Sequence, residues 1–283
     1  MHRNIAVQSY GTTDQIKNIN GIVAEYTVSP EVCRKTVSSE AYLSCGILCG
    51  VVDEITSLSL MMGDRMFRPG VSVSLKVKML QKISLNEKLL FKTKNIKIGK
   101  MLGFCDFDVF KEKCGTLVGN GNHIKFLPMG VAWDIIMKLR LESLLLKFYQ
   151  KETLKRSNSI FWTKGIPEGE SIKDQLPLIN FSSNESIGKG QISVNSNLCN
   201  YLGTFHGGAI CAYSEQAALA SSSLLNDRES LVSSMETYFY SALKGKLEVQ
   251  SEQNNSTRSQ CLDVLFEKDK KLMARSKVEW QKF

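Results

Sequence analysis

The sequence lacks any apolar run of about 18 residues, the length that a membrane-spanning helix requires. Its N-terminal segment, from Met1 to Lys17, also has no hydrophobic core and includes Asp14. It therefore does not resemble a secretory signal, and it matches a mitochondrial transit peptide poorly. These absences predict no stable membrane span and a cytoplasmic location, in preference to a mitochondrial one.

The cysteines lack the paired spacings that bind zinc, although the chain contains eight of them. Several fall within apolar segments, where a cysteine acts as a small buried hydrophobic side chain in a reducing compartment. The sequence therefore predicts no metal site.

Basic residues are not concentrated in one place, although they outnumber acidic ones by 36 to 28 and give a net charge of +8. The lysines of the first half are spread along alternating segments, at Lys76, Lys78, Lys92, Lys94, Lys97, Lys111 and Lys113. Nucleic-acid binding usually needs a basic patch interleaved with aromatic residues, so we expect no nucleic-acid partner. A mild basic excess also suits a ligand that carries several phosphates.

Two segments of the chain share one layout, in which a turn of small residues leads into an apolar helix. In both, a carboxylate lies nine positions after a residue of the turn: Asp53 follows Ser44, and Glu215 follows His206. A fold used twice also accounts for the length of the chain. We predict a loosely ordered N-terminus (1–18), a first domain (19–128), a linker (129–159) and a second domain (160–283).

Hydrophobic periodicity predicts similar elements in both units. The first unit has a strand at 21–28, a helix at about 46–62 and strands at 71–80, 88–98, 102–111 and 116–127. The second has a strand at 190–194, a helix at about 209–225 and strands at 231–241, 245–253, 259–268 and 271–281. This order predicts an α+β fold in which an antiparallel sheet wraps around a long helix.

The linker contains a segment, 131–150, that is rich in Ile, Leu and Met and interrupted by charged residues. This pattern is typical of an amphipathic helix. We predict that it connects the two halves and lies across a sheet face or forms an oligomer contact. A helix that lies on a membrane surface is the alternative.

The loop before the second helix resembles that of hotdog-fold acyl-CoA thioesterases, in the branch of phenylacetyl-CoA thioesterase-like and thioesterase-superfamily enzymes. In that family, a loop of the form Asn-x-x-Gly-x-x-His-Gly-Gly precedes the central helix, and an acid follows nine residues after the histidine. The matching positions here are Asn200, Gly203, His206, Gly207, Gly208 and Glu215. The strand at 69–75 and the hairpin at 98–104 resemble the family's first-half elements.

The resemblance implies two tandem hotdog domains that form a pseudo-dimer and hydrolyse acyl-CoA to a free acid and coenzyme A. It implies no cofactor, since coenzyme A is part of the substrate. The helix carboxylate acts as a base or as a nucleophile, and we expect burial to raise its basicity. Backbone N–H groups of the glycine turn stabilise the developing oxyanion. Larger homo-oligomers of the chain are also expected.

In dimers of the family, the loop of one unit faces the helix carboxylate of the other. Applied here, Asp53 meets the 200–208 loop, and Ser72 belongs to the same site on the resemblance alone. Strand alternation instead places Ser72 on a solvated face with Ser74. The first loop has Ser44 in the histidine position, so Glu215 is expected to form a degenerate site. Candidate contacts to coenzyme A phosphates are Lys100, His123, Lys125 and Arg258.

Two other functions stay open at this point. A dehydratase or hydratase that acts on acyl thioesters uses the same fold but places its histidine and acid differently. A non-catalytic acyl-CoA-binding protein would keep the pocket without turnover.

Overall fold

The structure is a computed structural model and describes residues 5–9, 20–35, 41–127, 179–183, 187–195, 198–200, 203–221, 230–253 and 261–282. The predicted helix at 131–150, the predicted domain borders within the linker and Arg258 lie outside the described residues.

Apart from a 3-10 turn and two short strands found in the first half, the described parts of the two halves contain the same order of elements. The first half comprises β1 (Ile5–Ser9), β2 (Ile22–Thr27), a 3-10 turn (Pro30–Val32), β3 (Cys33–Lys35), β4 (Ala41–Leu43), α1 (Cys45–Gly63), β5 (Val71–Met79), β6 (Lys88–Ile98), β7 (Leu102–Lys111) and β8 (Leu117–Phe126). The second half comprises β9 (Ile179–Ser183), β10 (Ile187–Val194), α2 (Gly207–Ser221), β11 (Ser230–Phe239), β12 (Gly245–Gln253), β13 (Cys261–Lys268) and β14 (Lys271–Lys282). The helices and the main strands that periodicity predicts are confirmed.

Twelve strands form one antiparallel sheet in the order β1-β2-β6-β7-β8-β5-β11-β14-β13-β12-β10-β9. The order is symmetric about its centre, because each half contributes six strands in equivalent positions. The halves join where β5 pairs with β11, from Ser74 opposite Tyr238 to Lys78 opposite Ser234. This is the tandem double hotdog arrangement.

The sheet edges were not predicted. β1 pairs with β2 in antiparallel register, and β9 takes the equivalent place beside β10. Ile5–Ser9 thus form an edge strand within the segment 1–18, for which the sequence predicts loose order.

The two helices pack side by side and against strands of the sheet. They approach closely at Gly46, where an added Cβ would lie only 2.8 Å from Cα of Ala212. A larger side chain at this position would push the helices apart. Among the described helices, α1 is the one whose length and composition would suit a membrane span, but 72% of that window is buried inside the fold. Its apolar character is therefore that of a core helix.

Strand β5 departs from simple alternation near its start. The register of its pairing with β8 shifts between Ser72 and Ser74, which is the signature of a β-bulge at Val73. The extra residue turns Ser72 to the face that packs on α1, where it donates a hydrogen bond to Asp53. The predicted solvated position of Ser72 is therefore wrong, because alternation assumes an uninterrupted strand.

Candidate active site

The N-terminus of each helix is bound by a carboxylate of the other helix. Asp53 Oδ2 accepts a hydrogen bond from Gly208 N at 3.0 Å, and Glu215 Oε2 accepts one from Gly46 N at 2.9 Å. The first turn of a helix has free N–H donors and a partial positive charge, so a carboxylate is favourable there. The structure thus brings Asp53 to the 206–208 loop of the opposite half.

Asp53 lies in a buried polar cluster and is only 3% exposed. Its Oδ1 atom is 3.0 Å from Ser72 Oγ and 3.7 Å from Lys125 Nζ. Its Oδ2 atom is 3.4 Å from His206 Nδ1. One carboxylate oxygen is therefore held by side chains on β5 and β8, and the other by the N-terminus of α2.

These partners determine the protonation of Asp53. Burial alone would raise the pKa of its carboxyl group, but the charges of Lys125 and His206 and the hydrogen bond from Ser72 hold that pKa well below its usual range. The expectation that burial raises the basicity of this carboxylate is therefore wrong. Asp53 is ionised throughout the neutral pH range.

His123 lies directly behind Ser72 and is completely buried. Its Nε2 is 3.0 Å from Ser72 Oγ, and its Nδ1 is 2.6 Å from Thr56 Oγ1. Burial and the nearby Lys125 charge lower the pKa of His123 to about 3, so the ring is neutral at physiological pH. The two ring nitrogens of His123 thus link Thr56 to Ser72, whose hydroxyl donates to Asp53. His123 is thus positioned to act on Ser72, and its burial does not fit the predicted contact with a phosphate.

The other predicted phosphate contacts occupy different surroundings. Lys125 is 5% exposed and donates a hydrogen bond to Ser57 Oγ besides its ion pair with Asp53. Its charge is therefore already balanced within the site. Lys100 has an exposed side chain, and its carbonyl accepts a hydrogen bond from Arg68. A contact between Lys100 and coenzyme A stays a prediction.

The loop before α2 is held by Asn200. Its side-chain amide donates to Thr204 Oγ1 at 2.8 Å, and its Oδ1 accepts from Thr204 N at 3.2 Å. Gly203 within this turn has a φ of 68°, a left-handed conformation that favours glycine. Asn200 also lines the cavity described below. The motif spacing therefore reflects a turn that aims His206 and the helix N-terminus at Asp53.

His206 lies between two adjacent acids of α1. Its Nε2 is 2.8 Å from Glu54 Oε1, on the side of the ring opposite Asp53. Burial lowers the pKa of the imidazole, but the charges of Asp53 and Glu54 outweigh burial, so the pKa is raised. The sequence interpretation selected Asp53 by its spacing and did not include Glu54. The signal for Glu54 was its place beside Asp53 in an otherwise apolar helix.

A cavity of about 510 Å³ opens beside Asp53. Its polar end includes Asp53, Ser72, Asn200, His206 and Gly207. Most of the remaining lining is apolar and consists of Leu58, Met61, Pro69, Val71, Val73, Phe126, Phe205, Ile210, Phe239, Tyr240, Ala242 and Leu243. A pocket with one polar end and apolar walls is typical of a small-molecule site.

The equivalent carboxylate in the other half, Glu215, has different partners. Its Oε2 accepts hydrogen bonds from the Ser44 hydroxyl and from Gly46 N, and its Oε1 is 3.8 Å from Arg34. Glu215 is 4% exposed. A hydroxyl, a backbone donor and a cation thus stabilise it as a buried charge.

The positions that correspond to the polar cluster are apolar in the second half. Ser72 pairs with Lys125 beside the bulge in β5, and Val232 pairs with Trp280 beside the matching bulge in β11. The residue two positions before Trp280, where His123 would correspond, is Val278. Val232, Val278 and Trp280 are all buried. Glu215 therefore has no equivalent of the Ser72–His123 pair.

Several solved structures resemble the chain along nearly its whole length, including the following three. A Lactobacillus plantarum protein provisionally assigned as an oleoyl thioesterase has a TM-score of 0.60 and 8% identity, covering 92% of this chain and 96% of its own. An acyl-ACP thioesterase from Bacteroides thetaiotaomicron has a TM-score of 0.58 and 13% identity. The match covers 92% of this chain and 97% of that protein. An inactive variant of the CurK dehydratase has a TM-score of 0.55 and 11% identity. The match covers 98% of this chain and 97% of that protein.

No protein-family model and no curated protein sequence matches the chain. The structural likenesses establish the fold, and the chain is a tandem hotdog protein whose structural neighbours are mostly thioesterases. Within the described ranges, no group of three or more His, Cys, Asp or Glu side chains is arranged to hold a metal ion.

Proposed function

We propose that this protein is an acyl-CoA thioesterase with one competent site per chain, built on Asp53. The observation that carries the proposal is the ionised Asp53 carboxylate beside the N-terminus of α2, at the polar end of an apolar cavity. Hydrolysis of a thioester needs an oxygen nucleophile, donors for the developing oxyanion and a place for the acyl chain. All three requirements can be met within this cavity.

The oxyanion donor would be the Gly207 N–H. Gly207 is the first residue of α2 and lines the cavity, and the hydrogen bonds of the described residues include none from its N–H. The positive end of the α2 dipole adds to this donor. A preorganised donor of this type typically contributes 10²–10³-fold to kcat.

Asp53 would supply the nucleophile in one of two ways. It either removes a proton from water that attacks the thioester carbon, or attacks that carbon itself to give an anhydride that water then cleaves. In both routes a C–O bond forms, the C–S bond breaks, and the coenzyme A thiolate takes up a proton. A carboxylate that is ionised across the neutral range is compatible with either role.

Ser72 and His123 would orient Asp53. The Ser72 hydroxyl donates to the carboxylate, and His123 holds that hydroxyl from its other side. Because His123 is neutral and buried, it fixes the geometry without adding a charge that would compete with Lys125. Loss of either side chain would let the carboxylate rotate away from a thioester bound at the Gly207 N–H.

Coenzyme A is the proposed carrier of the acyl group. The loop motif and the net charge of +8, which favours an anionic ligand, support it. An acyl carrier protein is the second candidate carrier, because an acyl-ACP thioesterase is among the full-length structural neighbours. Long apolar walls in the cavity suit an acyl chain in either case.

Release of free thiol from a panel of saturated and unsaturated acyl-CoAs tests the proposal, with product acids identified by mass spectrometry. Steady turnover that yields free acid and coenzyme A is expected. A product with water added to or removed from an intact thioester would instead indicate a dehydratase or hydratase. Tight binding of acyl-CoA without turnover would indicate a non-catalytic binding protein.

A further inference from the structure

Glu54 contacts the loop histidine from a position that the hydrolytic mechanism does not use. It follows Asp53 on α1, yet both acids reach the same ring. Glu54 Oε1 lies 2.8 Å from His206 Nε2, and Asp53 Oδ2 lies 3.4 Å from His206 Nδ1. The Glu54 side chain is 29% exposed and that of His206 is 10% exposed. The ring is thus held between two carboxylates at the polar end of the cavity.

We propose that Glu54 is a positioning residue that holds His206 as an imidazolium, with Nε2–H directed to Glu54 and Nδ1–H to Asp53. Both ring nitrogens face a carboxylate oxygen, and only the doubly protonated ring can donate to both. The kinetic consequence rests on the proposed thioesterase function, whereas the protonation of His206 does not.

The charge of His206 controls how Gly208 binds Asp53. Gly208 N is 3.0 Å from Asp53 Oδ2 and 3.1 Å from His206 Nδ1. A neutral ring with a bare Nδ1 accepts from Gly208 and shares this donor with the carboxylate. A protonated Nδ1 cannot accept, so the full hydrogen bond goes to Asp53. Protonation therefore ties Asp53 more firmly to the N-terminus of α2.

The groups that face the ring come from two elements besides its own loop. Asp53 and Glu54 on α1 favour the charged form of His206, while Lys125 on β8 and burial oppose it. The carboxylates outweigh the opposing effects, and the pKa of His206 is raised. The charged ring thus persists at low pH and is lost as pH rises through the raised pKa. Removal of Glu54 should move this loss to lower pH.

Glu54→Gln is the direct test, because it removes the charge and keeps the size and helix propensity of the side chain. Glu236→Gln is the matched control. Glu236 is 27% exposed and is 3.8 Å from a cation, Lys76, on the opposite face of the sheet. The 283-residue chain contains three histidines, so the Cε1–H resonance of His206 can be followed by NMR and assigned with a His206→Gln variant.

The expected result is that Glu54→Gln weakens proton binding at His206 by on the order of tenfold, whereas Glu236→Gln leaves it unchanged. When acyl-CoA hydrolysis is measured across pH, the alkaline limb of the kcat–pH profile should move to lower pH in Glu54→Gln. The profile of Glu236→Gln should match that of the wild type. An unchanged His206 titration in a folded Glu54→Gln protein would overturn the proposal. A kcat that falls by the same factor at every pH would also overturn the proposal, because it would indicate a purely structural role for Glu54. If the wild type has no hydrolytic activity, the proposed function fails, while the NMR titration still decides the role of Glu54.

Discussion

Asp53 Oδ2 lies 3.0 Å from the backbone nitrogen of Gly208, which is 155 positions later in the chain. The reciprocal contact joins Glu215 to Gly46 in the other direction. Each helix thus places its acid on the N-terminus of the opposite helix. The contact therefore couples the site directly to the packing of the two halves against each other.

Replacement of Gly207 by alanine should abolish most activity without unfolding the protein. An added Cβ would lie 2.9 Å from Asp53 Oδ2 and 3.3 Å from Ser72 Oγ, so the carboxylate would have to move. We expect kcat to fall on the order of a hundredfold, because the displaced carboxylate loses its position relative to the substrate. Steady-state thiol release measures this effect, and circular dichroism checks the fold.

Gly115→Ala is the control for this variant. Gly115 has a φ of 67° and nothing near its Cβ position, so alanine there strains a turn by about 1 kcal/mol without touching the site. Its kcat should equal that of the wild type. Equal kcat values for Gly207→Ala and the wild type would exclude Gly207 from the site.

Lys125→Met should make hydrolysis sensitive to mild acid. Lys125 is the main charge that opposes the effect of burial on Asp53, so its removal raises the pKa of that carboxyl group. Activity that needs ionised Asp53 is present above this pKa and is lost as pH falls through it. The acid limb of kcat/KM should therefore move to higher pH than in the wild type.

Lys78→Met provides the comparison, since Lys78 is an exposed lysine on the outer face of β5. Its pH profile should match the wild type. The same acid limb in Lys125→Met and in the wild type would show that Lys125 does not control the ionisation of Asp53.

Glu215→Ala should lower stability while catalysis continues. The change leaves the Ser44 hydroxyl and the Gly46 N–H without their buried acceptor and removes the partner of Arg34. We expect the free energy of unfolding to fall by about 1–3 kcal/mol. Guanidinium unfolding measures this difference. A large loss of kcat in folded Glu215→Ala protein would instead assign Glu215 to a catalytic site.

Recognition of coenzyme A should appear as a difference between carriers. An acyl-CoA should have a higher kcat/KM than a simple thioester with the same acyl group, because the carrier phosphates meet basic residues. Lys100→Ala, at an exposed position, should raise KM for acyl-CoA and leave the simple thioester unaffected. Equal kcat/KM for both thioesters would show that the protein does not recognise coenzyme A. A higher kcat/KM for a thioester of an acyl carrier protein would favour the second candidate carrier.

The sequence carried enough information for the tandem fold, because hydrophobic periodicity and the nine-residue spacing each occur twice. It also predicted that Asp53 meets the 200–208 loop of the opposite half, and the structure contains this contact at Gly208. Alternation misplaced Ser72, since a bulge depends on the pairing of β5 with β8 and leaves no local signal. The role of His123 depends on the same pairing.

The electrostatics of the site could not be predicted from the sequence. The pKa of Asp53 depends on the distances to Lys125 and His206, which come from distant parts of the chain. Glu54 was passed over because its partner, His206, reaches it only when the two helices pack. Single residues that act through tertiary contacts are therefore the ones that sequence patterns miss.

The most direct test of the central claim compares Asp53→Asn with Glu215→Gln in acyl-CoA hydrolysis, after both variants are shown to be folded. Asp53→Asn should lower kcat by about a hundredfold or more, and Glu215→Gln should retain most of the wild-type rate. Loss of hydrolysis in Glu215→Gln together with an active Asp53→Asn would contradict the account, because the second half would then work with its own acid.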